Sequence, residues 1–244
     1  MPDENTGLAL WLDRLTLRSD LNEEERAAVL ALPGNLVFVK SNRDFVNLGE
    51  HVDRACLIVE GMAGRFGQAR SGERQITALH IPGDMADLHS VALPKAATAL
   101  QSIGECTIYR VAHANIRDLA RRHPALAEAF WRDCVVDAAI LSEWALVLGR
   151  LSADARVAHL LAELSCRFGI GECRDGRAFD WPLTQAQLGD ATGLTPVHVN
   201  RMLRVLREAG AVDVKPKRVT ILDWKRLCTI GQFDPRYLHL EEAG

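Results

Sequence analysis

The side chains best equipped for chemistry gather between Leu183 and Leu206, and their chemistry is hydrogen bonding rather than bond breaking. Thr184 is placed to cap one helix and Gly193 to permit a left-handed turn. Thr195 is placed to cap a second helix, with Pro196 in its first turn, where a missing N–H costs nothing. Helical spacing puts Val199, Met202, Leu203 and Leu206 on one inward face and leaves His198, Asn200, Arg201 and Arg204 pointing elsewhere. Asn and Arg both bond bidentately to base edges, and a helix N-terminus favours a phosphate. A helix that displays them near its start suits the major groove of DNA. Downstream, Lys215, Lys217 and Arg218 fall at the tip of a short hairpin, Gly210–Val214 returning through Val219–Leu222. Such cations bind backbone phosphates without specifying sequence, although alone they would equally suit a solvated turn.

The rest of the chain offers little competing chemistry. No acid, base and nucleophile converge in the pattern and the histidines are dispersed, so an enzyme is not expected. Six cysteines (Cys56, Cys106, Cys134, Cys166, Cys173, Cys228) form no CxxC pair and no zinc-like spacing, and are read as reduced thiols. No bound metal is expected. The net charge of −3 argues against indiscriminate coating of nucleic acid, yet Thr184–Arg226 holds eight Lys/Arg against four Asp/Glu, a local +4. Any phosphate-binding surface is thereby confined to the C-terminal part. A nucleotide-binding module without DNA contact would have no use for Thr184–Leu222. No run approaches the roughly eighteen apolar residues of a membrane span, and Met1-Pro2-Asp3-Glu4-Asn5 lacks the features of a signal peptide, so a cytoplasmic chain without membrane contact is expected.

These residues need elements to hold them. At 244 residues, 48% apolar, the chain suits two domains. Leu8–Leu32 has helical periodicity, with Asp20 as N-cap before Glu23-Glu24-Glu25 and Pro33-Gly34 closing it. From Asn35 to about Val111 short β-branched runs (Leu36–Val39, Ala55–Val59, Ile76–Leu79, Cys106–Tyr109) alternate with Gly49, Gly61, Gly72 and Gly83, the punctuation of an antiparallel roll or barrel. Ala125–Leu148 lacks Gly and Pro and predicts a helix about 36 Å long. Its narrow stripe, Phe130, Cys134, Ala138 (or Asp137), Leu141, Ala145 and Leu148, resembles a coiled-coil seam and predicts a homodimer; packing on its own β domain is the alternative. Gly149 is expected to break that helix, with Gly149–Ser152 a hinge and Ser152 capping a further helix, Ala153–Phe168. Gly169–Gly176 reads as a glycine-rich loop and Ala178–Pro182 as an edge strand. The expected class is α+β: a sensing β-roll with helical lead-in over 1–123, a dimerisation helix over 124–149 and a winged helix-turn-helix over 150–244.

The run Gly193-Leu194-Thr195-Pro196-Val197-His198-Val199-Asn200-Arg201, the roll pattern Gly49-Glu50, Gly61, Gly72 and Pro82-Gly83-Asp84, and the long helix after it together resemble the catabolite-activator/FNR (CRP/FNR) family of bacterial regulators over nearly the whole chain. The resemblance implies a cyclic-nucleotide-binding-like roll and a sequence-specific transcription regulator. It also implies a homodimer on an inverted-repeat operator, with RNA polymerase as a partner. Family members read half-sites with three positions that correspond here to Val197, Asn200 and Arg201. Where a Glu is common stands Val197, which cannot accept from a cytosine amine, so an operator unlike the TGTGA and TTGAT types is expected.

The resemblance also frames the sensor. Cyclic-AMP-binding members carry a Glu and an Arg-Ser pair after the Gly-Asp; here Ala96-Ala97 replaces the pair and only Asp87 stands near the Glu. Lys95 is a poor geometric substitute for a fixed guanidinium, so cyclic AMP is not the expected effector. The oxygen-sensing branch holds an iron–sulfur cluster on N-terminal cysteines, and no cysteine precedes Cys56, so no cluster is expected. Gly83–Ser90 is similar to the stretch of the carbon-monoxide-sensing branch that binds heme, with His89 at the ligand position and Pro2 at the N-terminal one; ordinary packing of a Leu-His-Ser turn explains the same residues. A heme- or other small-molecule-gated sensor is the alternative reading, and the effector stays unassigned. Its pocket candidates are Asp87, Leu88, His89, Ser90, Lys95 and Thr98.

Overall fold

The structure, a computed structural model, describes residues 4–169 and 174–240. They divide into two compact units, one of residues 4–67 and 78–138, the other of residues 68–77 and 139–240.

The first unit opens with α1 (Glu4–Thr16) and α2 (Glu23–Leu30). Asn22, not Asp20, caps α2: its side chain accepts from the Glu25 N–H, and the Glu25 carboxylate accepts from the Asn22 N–H. Asp20 and Asn22 both stand three positions before a glutamate, Glu23 and Glu25, so spacing alone allows either box; the helix starts at Glu23, which makes Asn22 the cap and Glu25 its partner. The roll follows as β1 (Gly34–Val39), β2 (Asp44–Val46), β3 (Arg54–Gln68), β4 (Arg74–His80) and β5 (Ala99–Ala112), in sheet order β1-β5-β3-β4 with β2 also on β5. All four punctuating glycines take positive φ. Gly61, however, sits inside β3 rather than at a turn. Its φ of 84° coincides with register shifts between Ile58 and Met62, and a Cβ there would lie 2.3 Å from the Glu105 carbonyl oxygen, so it marks a bulge in a long strand. After α3 (His113–Arg122) comes the long helix α4 (Pro124–Arg150).

α4 runs through Gly149 to Arg150, so the break falls later than expected, at Leu151-Ser152. A single Gly costs a helix only about 1 kcal/mol, which the packing of neighbouring turns offsets. In the first unit Phe130 stacks on Trp11 at a centroid distance of 5.2 Å, and Cys134 packs on the same core. The second unit contains the end of α4, α5 (Ala153–Phe168), β6 (Ala178–Trp181), α6 (Gln185–Thr192), α7 (Pro196–Glu208), β7 (Val212–Lys215), β8 (Lys217–Ile221) and α8 (Trp224–Gly231). Ser152 stands at the N-cap of α5, but its hydroxyl donates to Asp154 instead of capping. Glu163, fully buried in α5, is satisfied by Trp144 Nε1 at 2.8 Å, Arg167 Nη1 at 2.9 Å and Tyr237 OH at 2.9 Å, which ties α4, α5 and the C-terminal turn together. Cys166 is disulfide-bonded, correcting the expectation of a reduced thiol; Cys173 lies outside the described residues. A bridge depends on Cα separation in space, which spacing along the chain does not fix.

Candidate nucleic-acid interface and sensor cavity

The helix pair forms where its local signals place it. The Thr184 hydroxyl accepts from the Gln187 N–H while Gln187 Oε1 accepts from the Thr184 N–H, starting α6. Gly193 turns the chain at φ 67°, and Thr195 Oγ1 accepts from the His198 N–H with Pro196 in the first turn of α7. Val199, Met202, Leu203 and Leu206 are buried. Gly189 lets the helices meet, since a Cβ there would sit 2.4 Å from the Leu194 carbonyl oxygen. Thr184, Thr195, Pro196, Val197, His198, Asn200, Arg201 and Arg204 are all exposed, Val197 by 78%.

The hairpin β7–β8 pairs with β6 at the edge, giving a three-stranded sheet in the order β6-β8-β7. Lys215 faces Arg218 across the turn, so Pro216-Lys217 forms a two-residue connection, with Lys217 at φ 63°. Lys215, Lys217 and Arg218 are exposed. Lys215 pairs with Asp213 at 3.1 Å and Arg204 with Glu208 at 3.5 Å, whereas Arg201, Lys217 and Arg218 have no acidic partner among the described residues. Sequence reasoning missed Gln185, whose amide bonds to Asn200 twice.

In the first unit a small cavity is lined by Arg65, Asp87, His89, Ser90 and Thr98 with Ala96, Ala97 and apolar neighbours, and about 10 Å³ of it is open to the centre of a water molecule. That is room for about one water. Of the pocket candidates, Asp87, His89, Ser90 and Thr98 meet there. Leu88 belongs instead to the apolar core, buried in the turn Leu88–Val91, and Lys95 is exposed outside the lining, its backbone bridged to His51. Pro2 lies outside the described residues. Asp87 Oδ1 accepts from the Cys56 N–H at 2.6 Å, while Oδ2 is buried without a hydrogen-bond partner among the described residues. Burial pushes its carboxyl up to about 7. Ser90 Oγ lies 2.8 Å from His113 Nε2. Burial lowers the His89 imidazole from its ordinary value, helped by the charge of Arg65. Arg65, unseen as a pocket residue in the sequence, donates to the Ala86 carbonyl at 2.7 Å and to Asp137 on α4 at 2.8 Å. Its guanidinium is therefore already engaged. Among the described residues no three His, Cys, Asp or Glu converge as metal ligands, and no helix is long and apolar enough to cross a membrane.

A β-roll, a long helix and a winged helix-turn-helix with exposed polar positions define a class, the transcription regulators with a sensory roll and a helix-turn-helix DNA-binding domain. Residues 155–230 match the Crp-like helix-turn-helix domain. The chain is 27% identical over 203 residues to the transcriptional activator protein FnrL of Cereibacter sphaeroides, covering 80% of this chain and 75% of that protein. It is 23% identical over 212 residues to the anaerobic regulatory protein of Haemophilus influenzae, covering 87% and 82%. Its fold is similar to that of FixK2 from Bradyrhizobium japonicum, with a TM-score of 0.70, 21% identity and coverage of 87% of this chain and all of that one. Residues 155–230 thus carry a Crp-like helix-turn-helix domain, and over most of its length the chain is similar to transcription regulators of the CRP/FNR family.

Proposed function

We propose that the protein acts in the cytoplasm as a homodimer on an inverted-repeat operator, with α7 of each copy in the major groove and RNA polymerase as the downstream partner. The observation that carries this reading is the exposure of Val197, Asn200 and Arg201 along the first turns of α7, beside a hairpin whose tip bears Lys215, Lys217 and Arg218. Arg201 suits a guanine edge and Val197 a thymine methyl, while the hairpin cations and Arg204 suit phosphates. Thr184, Thr195, Pro196 and His198 border the same helix starts, where backbone N–H groups favour an anion.

The dimer reading draws on a second stripe of α4. Trp131, Val135, Ala138, Ser142, Ala145 and Gly149 follow alternating steps of four and three and are all exposed, Trp131 by 69% and Val135 by 62%. Alternating three and four is the spacing of a two-helix seam, and small residues along it permit close approach. Compared with the seam read from sequence, Ala138 and Ala145 stay, Leu141 and Leu148 are half-buried, and Phe130 and Cys134 belong to the protomer's own core. In the sensor, the small size of the cavity and the committed Arg65 favour an effector smaller than a cyclic nucleotide, with Arg65–Asp137 linking the cavity wall to α4. Neither heme nor an iron–sulfur cluster is part of this reading.

The test is a band-shift with an operator selected from random DNA. Arg201→Ala should cost about 1–3 kcal/mol on that operator and little on random DNA. Equal losses on both would remove α7 from the reading role.

A further inference from the structure

Asn200 does not present its amide alone. Gln185, the first residue of α6, donates from Nε2 to Asn200 Oδ1 at 2.5 Å, and Asn200 Nδ2 donates back to Gln185 Oε1 at 2.8 Å. Two primary amides can be joined twice only along the edge where each oxygen and one N–H lie side by side. That edge is the one with which an asparagine accepts from N6 and donates to N7 of adenine. Both residues are exposed, and the fold has no evident need of the pair: Thr184 and Gln187 close the cap of α6, and Val199, Met202 and Leu203 anchor α7.

We infer that Gln185 is a specificity-determining residue which, by holding the bidentate edge of Asn200, withdraws adenine recognition at the base pair that Asn200 faces. The joined amides meet the groove as one unit. What each has left to offer is its second N–H and the second lone pair of its oxygen. Single bonds of that kind are satisfied by several base edges, so the position tolerates sequence where a lone asparagine would select adenine. The inference rests on the reading that α7 enters the major groove.

Selection of operators from a randomised DNA library, followed by sequencing, tests it with the full chain and three variants. The wild type should show little preference at one position of each half-site. Gln185→Leu removes the partner amide at an exposed first helical position, and should bring out a preference for adenine at that position of about fivefold or more while leaving the others unchanged. The double variant Gln185→Leu/Asn200→Ala should lose that preference again. If wild type and Gln185→Leu select the same bases, or if the wild type already selects adenine there, the inference is overturned. Arg201→Ala separates the two levels. A change at its own position, with none from Gln185→Leu, defeats this inference alone; no change from Arg201→Ala defeats the groove reading and this inference with it.

Discussion

Lys217 is a lysine where the backbone asks for glycine. With Pro216 before it and φ at 63°, it occupies the third position of a tight turn that favours a residue without Cβ, and an ordinary L-residue in that region costs on the order of 1–2 kcal/mol. Such strain persists where the side chain serves a purpose, here a cation held at the tip of the hairpin. Lys217→Gly should therefore leave the melting temperature unchanged or raise it while weakening binding to all DNA; a clear fall in melting temperature would show that the lysine serves the fold. Asp87 poses the opposite case, a charge that burial disfavours. Its carboxyl is raised to about 7 by burial, against the pull of the Cys56 N–H, Arg65 and Arg110, from an unfolded value near 3.8. Between those two values the folded chain binds a proton that the unfolded chain has released, so stability falls as pH rises through that window and is flat above it. Each such group contributes up to about 1.4 kcal/mol per pH unit. Asp133, raised by burial to about 6, adds to the same trend. Asp87→Asn should flatten the fall of stability between pH 4 and 7 by about one proton's worth in denaturant titrations; an unaltered slope would mean that Asp87 is ionised throughout.

At the scale of elements, what was legible in the sequence was what is local. The caps Thr184–Gln187 and Thr195, the turn at Gly193 and the hairpin around Pro216 are decided within a few residues, and they stand where the pattern put them. Arg65 was not legible, because its partner Asp137 lies 72 positions away, nor was Gln185, 15 positions from Asn200. The helix α4 was legible as a helix but not in its facing. It is apolar on two sides, with Phe130, Val136, Ile140, Trp144 and Val147 buried and Trp131, Val135 and Leu146 exposed, and a hydrophobic pattern cannot say which stripe meets its own chain. The exposed stripe now gives the sharper test. Val135→Asp would put a charge into the proposed seam without touching the protomer's core, and should shift the molecule towards monomer with unchanged helical content. Leu126→Asp, at a buried position, should instead damage the fold. Light scattering that still gives a dimer mass for Val135→Asp would exclude this face.

For the whole molecule the unequal distribution of charge matters more than its sum. A chain of net −3 with +4 between Thr184 and Arg226 is repelled by DNA everywhere except where its cations are concentrated, so binding should be steep in salt and dominated by a few contacts. Each phosphate contact releases counterions and contributes about −0.9 to the slope of log affinity against log salt. Lys217→Gly removes one exposed, unpaired cation per copy without disturbing the turn, so the change in slope counts the copies that bind. Two copies on an inverted repeat should lose close to 2 from the slope, and one copy close to 1. The loss should be the same on selected and random DNA, since phosphates carry no sequence, whereas Arg201→Ala should alter chiefly the difference between the two. Titrations at four or five salt concentrations suffice to separate the cases. A slope change near 1 on the full inverted repeat would mean that a single copy engages the site, and the homodimer reading would have to be abandoned even if α7 proved to be the helix that reads the bases.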